Sequence, residues 1–309
     1  MKGVLLVNFG GAATEQELKI LLYKMFSDPK ILPVPCPLKK IIALRISRKR
    51  SSTSWKKYCL INGTPVFDET NKIAVALQNE LPDHHIATAY SYSPPYIPDA
   101  LDDLTKKKIN DIIIIPLYPQ YSLCTTGSIE AAAAKYTRRH KTLKIRFIRE
   151  YHNNHLFIRF WSERIISHIK AKDYKDPVLV FSAHSIPLSL IRKGDTYSTA
   201  VEECAELISR ETGYRHIVTY QSAINNKRWL GPPIRDTLQE ISEGKQSPAV
   251  LIPVSFVTEN LETLYDLDRV IIPEAMHEYN IHQISRVPVN MPDDNFISCL
   301  KELVYEYDQ

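Results

Sequence analysis

IIIIPLYPQYS, residues 112–122, sets four isoleucines in a row and then turns abruptly to proline, tyrosine, glutamine and serine. A continuous apolar run without alternation is the pattern of a strand covered on both faces, as in parallel sheets. VLIPVSFVTEN, residues 250–260, repeats the plan. The first run leads into an alanine-rich helical segment from residue 128, and the second into LETLYDLD. Two further runs, VLLV at 4–7 and VLVF at 178–181, have the same character, and helical patterns occupy 15–25, 128–139, 199–211 and 259–270. Strand and helix alternate, which predicts an α/β fold. The likeness of the second and fourth runs predicts two similar doubly wound, Rossmann-like lobes with parallel sheets. Their expected extents are 1–150 and 151–309, the second ending in a terminal helix. In such sheets ligands bind beyond the carboxyl ends of the strands, so the cleft between the lobes is the expected site.

Length and composition set the outer bounds. A chain of 309 residues suits two domains of ordinary size, and 44% hydrophobic with 24% charged residues is a globular composition. The net charge of +4, from 39 basic and 35 acidic residues, is too mild for a nucleic-acid footprint. Five widely spaced cysteines form no CxxC pair, which predicts a reduced, cytoplasmic setting. The opening MKGVLLVNFGG has too short an apolar stretch for a secretion signal, and no window reaches the roughly 20 apolar residues of a membrane span.

The nine glycines show neither GxGxxG nor GxxxxGK[ST] spacing, so dinucleotide and P-loop cradles are not signalled. GxSxG and HExxH are also missing. The chemistry must rest elsewhere. His184 directly follows VLVF in FSAHSIP (181–187), a strand-end position where such folds present functional groups. Glu259, Glu262 and Asp266 stand at i, i+3 and i+7 after PVSFV, which would set them on one helix face. A merely solvated acidic face near a helix N-terminus is the plainer alternative. Phe9, Tyr118, Tyr121 and Trp229 fall at or near strand ends and suit either a core or a pocket for a flat apolar ligand. Residues 39–50, KKIIALRISRKR, set six basic side chains around an apolar patch.

Several long segments resemble the motifs of the ferrochelatase family, in order and along nearly the whole chain. They are LLVNFGGA (5–12), LLYKMFSDPKILPVP (21–35), PLYPQYSLCTTGS (116–128), VLVFSAHSIP (178–187), IRKGDTY (191–197), QSAINNKRWLGP (221–232) and PVSFVTENLETLYDLD (253–268). The resemblance implies a chelatase-type fold and insertion of ferrous iron into protoporphyrin IX, with both as substrates. It casts His184 and Glu262 as the facing catalytic and metal-handling pair, with Asp266 and Glu259 on an acidic path for protons or metal. Phe9, Tyr118, Tyr121, Ser122 and Trp229 fall on porphyrin-contacting positions. By likeness to the family's mobile lip, Arg45 and Arg48 would meet the propionates, and the basic segment would touch an anionic membrane peripherally at its inner face. Two departures, Ser91 where many relatives have Arg and Asn260 where many have His, bear on the metal entry route. No tightly bound cofactor is implied. Only Cys299 lies near the end of the chain, so the [2Fe–2S] cluster of some relatives is not expected.

The chemistry fits those residue types. Imidazole titrates near neutrality and, like carboxylate, is a reasonable ligand for ferrous iron. Alternatives left open at this level are coproporphyrin III as substrate, cobalt chelation, and a non-catalytic tetrapyrrole carrier.

Overall fold

The computed structural model describes residues 2–32, 34–223, 226–244 and 247–308. Among the described residues eight strands form two four-stranded parallel sheets, and the chain divides into two compact units.

The first unit comprises Met1–Tyr118, Ser122–Glu150 and Leu300–Gln309. Its strands are β1 (Lys2–Asn8), β2 (His84–Tyr90), β3 (Asp111–Pro116) and β4 (Lys144–Phe147), in the order β2-β1-β3-β4. Its helices are α1 (Glu15–Ser27), α2 (Leu38–Leu60), α3 (Val66–Glu80), α4 (Ile97–Lys106) and α5 (Thr126–Thr137). The second unit comprises Pro119–Tyr121 and Tyr151–Cys299. It runs α6 (His155–Lys172), β5 (Val178–His184), α7 (Leu188–Ile191), α8 (Tyr197–Thr212), β6 (His216–Gln221), α9 (Ile234–Glu243) and β7 (Ala249–Ile252). There follow a π-helix (Glu262–Ile271), α10 (Ile272–His277) and β8 (Ile284–Arg286), and the sheet order is β6-β5-β7-β8. The last helix is α11 (Asp294–Asp308). Numbered within each unit, both sheets read 2-1-3-4, the repeated topology expected from the paired apolar runs.

The four apolar runs are the two inner strands of each sheet. Leu5 pairs with Ile114 and Val180 with Leu251, and all four side chains are fully buried. Each such side chain contributes about 1.5–3 kcal/mol through burial. The edge strands HHIATAY, KIRF, HIVTYQ and ISR have mixed composition. Among the described residues one backbone edge of each lacks a neighbouring strand, so continuous apolarity is not required of them.

Loops at strand ends set the positions of the candidate residues. After β1, Gly10 adopts φ 104°, and a Cβ there would collide with the Ser93 side chain. This turn sets Phe9 edge-on against Tyr92, with ring centroids 5.1 Å apart. Residues 119–121 join the second unit, where Pro119 O accepts from Tyr151 N–H at 2.9 Å and Gln120 Nε2 donates to Val254 O at 3.2 Å. The Asn154 side chain caps α6, accepting from the N–H groups of Leu156 and Phe157.

The terminal helix differs from expectation. Its last residues belong with the first unit rather than the second, because Asp308 receives hydrogen bonds from Lys2, His84 and Arg146. The helix expected at 259–270 also differs. It begins at Glu262 and is wound with i→i+5 hydrogen bonds, as Ile272 N–H to Leu267 O shows. Such π segments are rare and concentrate at functional sites.

Candidate active site

β5 delivers His184 at its last position, and the backbone N–H of His184 donates to Ser255 Oγ at 3.4 Å in the loop after β7. That loop leads into the π-helix, whose first residue is Glu262. His184 Nδ1 lies 2.9 Å from Glu262 Oε1 and 3.0 Å from Oε2. The carboxylate therefore accepts a hydrogen bond from Nδ1–H, and in the neutral ring the lone pair falls on Nε2.

The electrostatics favour a charged ring. Burial alone would lower the His184 pKa, but the Glu262 charge, its hydrogen bond and the Asp266 charge together raise it above its ordinary value. Asp266 also bears on Arg235, raising its pKa together with Glu274, to which Arg235 Nε donates at 2.6 Å. Asp266 thus bears electrostatically on both the imidazole and a cation.

Asn260 organises the entry to the helix. Its side-chain oxygen accepts from Glu262 N–H at 2.8 Å and from Thr263 N–H at 3.1 Å, in the manner of an N-cap. Glu262 also gains from the partial positive charge of the helix start.

Glu259 does not share the face of Glu262 and Asp266. It precedes the π-helix and accepts from Arg286 Nη1 at 2.9 Å, from Val289 N–H at 2.8 Å and from the Thr263 hydroxyl. The side chains of Arg286 and Glu259 are 5% and 7% exposed, against 39% and 26% for His184 and Glu262. One pair is half-open and the other is sealed into the fold, which corrects the expectation that Glu259, Glu262 and Asp266 share one helix face. The i, i+3, i+7 spacing assumed an α-helix through residue 259, and the chain is not helical there.

The other expected residues are distributed as follows. Trp229 lies beside the segment after His184, where residues 187 and 229 form an antiparallel bridge and Leu230 N–H donates to Ile186 O at 2.9 Å. Tyr118 is half-buried against the first unit's core, and Tyr121 is half-buried in the second unit. Ser122 is 1% exposed and its hydroxyl accepts from Cys124 N–H, in the turn that leads into α5. Arg45 and Arg48 are exposed on α2, near the exposed apolar residues Leu38, Ile41 and Leu44. A groove of about 460 Å³ beside β2, lined by Gln78, His85, Thr88 and Lys107 among others, contains none of the expected residues.

Sequence reasoning missed Arg286 and the capping role of Asn260. A signal for Arg286 exists, since a lone arginine among apolar neighbours in ISRVPV calls for a buried acidic partner. Among the described residues no group of three or more His, Cys, Asp or Glu side chains is placed to hold a metal ion, and no helix is long and apolar enough to cross a membrane.

The profile of the family described as Ferrochelatase matches residues 1–307. The chain belongs to the ferrochelatase family. It is 35% identical to a ferrochelatase of Aquifex aeolicus over 309 residues, 98% of each chain. It is 33% identical to one from a Wolbachia of Drosophila simulans over 318 residues, again 98% of each. Among solved structures it resembles Bacillus subtilis SirB with Fe3+ at a TM-score of 0.57 and 11% identity, covering 99% of this chain and 95% of that one. It also resembles CbiX, a terminal enzyme of sirohaem biosynthesis in denitrifying bacteria, at 0.56 and 12%, covering 98% and 99%. These two likenesses extend the fold beyond the ferrochelatase family to other chelatases.

Proposed function

We propose that this chain is a ferrochelatase that inserts ferrous iron into protoporphyrin IX. The observation that carries the reading is the half-open His184–Glu262 pair at the carboxyl end of an inner strand, in a chain of this family. Insertion exchanges one divalent ion for two pyrrole protons. A neutral His184 offers Nε2 as base or ligand, and Glu262 steadies the imidazolium that results from proton uptake. Asp266 stands next in line for a proton leaving the pair. Two protein donors suit a metal that must be passed on, because a closed three- or four-ligand cage would retain it.

Trp229 supplies an aromatic face within the same unit, and Phe9, Tyr118 and Tyr121 are assigned to the macrocycle by the family pattern. Arg45 and Arg48 supply cations for the propionates. Together with Leu38, Ile41 and Leu44 they form a basic and apolar strip suited to peripheral contact with an anionic membrane. The reading requires no resident cofactor.

The test is fluorimetric insertion of zinc and anaerobic insertion of ferrous iron by the purified protein. Protoporphyrin IX is expected to turn over at least about tenfold faster, as kcat/KM, than coproporphyrin III. Faster use of coproporphyrin would move the substrate assignment, and porphyrin binding without insertion of either metal would make the protein a carrier.

A further inference from the structure

Arg286 is the most completely enclosed cation beside the π-helix, and its guanidinium is divided between the two sides of Glu262 in sequence. Nε and Nη2 donate to the two carboxylate oxygens of Asp268 at 2.8 and 2.7 Å, a bidentate grip within the helix. Nη1 donates to Glu259 at 2.9 Å, ahead of the helix, and to Val287 O at 3.3 Å. Glu259 is fixed in turn by Val289 N–H and by the hydroxyl of Thr263, the residue after Glu262. Arg286 ends β8, which pairs with β7, and β7 pairs with the strand that delivers His184. The sheet that sets the position of the imidazole therefore also holds the cation that grips the helix bearing its partner.

We propose that Arg286 is a positioning residue for the insertion step, fixing the π-helix through Glu259 and Asp268 so that the Glu262 carboxylate stays on His184. The proposal rests on the reading of His184 and Glu262 as the reacting pair. A planar fork with fixed donors sets an orientation, whereas an ammonium supplies only charge. A π-helix is a rare winding found chiefly at functional sites, and here Arg286 bonds to one residue ahead of it and one within it.

The experiment is a double-substitution cycle on kcat for zinc insertion, with KM for porphyrin and the thermal midpoint measured alongside. Arg286→Lys keeps the charge and loses the fork. It is expected to fold, to lower kcat about tenfold, and to leave the porphyrin KM within about twofold. In a Glu262→Gln background the same change is expected to alter kcat by less than about twofold, because the residue it acts through is already gone. Equal losses in both backgrounds, or wild-type kcat in a folded Arg286→Lys protein, would overturn the proposal while leaving the reading of the pair intact. Wild-type kcat in Glu262→Gln alone would instead remove that reading, and the proposal with it. Should Arg286→Lys not fold, Asp268→Asn, which weakens the bidentate grip and spares the Glu259 contact, carries the same expectations.

Discussion

His184 Nδ1 sits within 3.0 Å of both carboxylate oxygens of Glu262, which leaves Nε2 as the ring nitrogen that this carboxylate does not engage. His184→Ala should therefore abolish metal insertion while leaving porphyrin affinity within about tenfold, since aromatic contacts rather than the imidazole hold a macrocycle. Turnover and porphyrin fluorescence quenching measured on the same preparation check this, and normal turnover would remove His184 from the reaction.

The acidic residues should separate by role. Glu262→Gln is expected to cut kcat at least about a hundredfold, the low end for loss of an acid–base group, and Asp266→Asn to cost less. Glu259→Ala should act on stability, at about 3–5 kcal/mol, because it strips a partner from a buried ion pair. Denaturant unfolding of the three variants resolves the order.

The pH response follows from the sign of the His184 shift. Its pKa is raised, so the ring is protonated below that raised value, and insertion should fall there as Nε2 loses its lone pair. Glu262→Gln removes the strongest influence opposing burial, so the His184 titration should move to lower pH. NMR of the metal-free protein reads this directly, and an unmoved titration would contradict the pairing.

Replacing Arg45, Arg48 and Arg50 together by glutamine should weaken association with anionic vesicles and flatten its dependence on salt. Vesicle sedimentation at low and high ionic strength checks it. Unchanged binding at low salt would leave α2 as a solvated basic helix.

Asp308 gives a second, structural pH effect. Burial would raise its pKa, but hydrogen bonds from Lys2 and His84 outweigh this and lower it. Its stabilisation is thus complete above the unfolded value near 3.9 and is lost as pH falls through the lower folded value. Asp308→Ala should reduce stability by about 1–3 kcal/mol at pH 7 and less at pH 3, as acid and thermal unfolding would show.

The sequence made the inner half of each sheet legible and left the outer half hidden, for one physical reason. β1, β3, β5 and β7 are covered on both faces and so each carries a continuous apolar run, whereas HHIATAY or HIVTYQ at an edge can mix in polar groups. His184 and Glu262 were visible because strand ends and the family motifs mark them. Glu259 does not join the face of Glu262 because i, i+3, i+7 spacing measures a face only where the backbone is α-helical. Arg286 stood out only as a lone arginine among apolar neighbours, and its partners were hidden because they are 18 and 27 residues away in the chain.

The i→i+5 winding also fixes how the segment after Glu262 can change in length. An α-helix turns about 100° per residue, so deleting one residue between Glu262 and Asp266 would let the backbone relax to ordinary α geometry at little local cost. The shortened segment would keep Asp268 on the side of Arg286 and Asp266 on the side of the imidazole, whereas rewinding to α geometry at full length would swing both around the axis. Loss of one residue is therefore the change of length this segment can absorb, while a substitution that drives ordinary α winding at full length would disconnect the side chains without harming the helix itself.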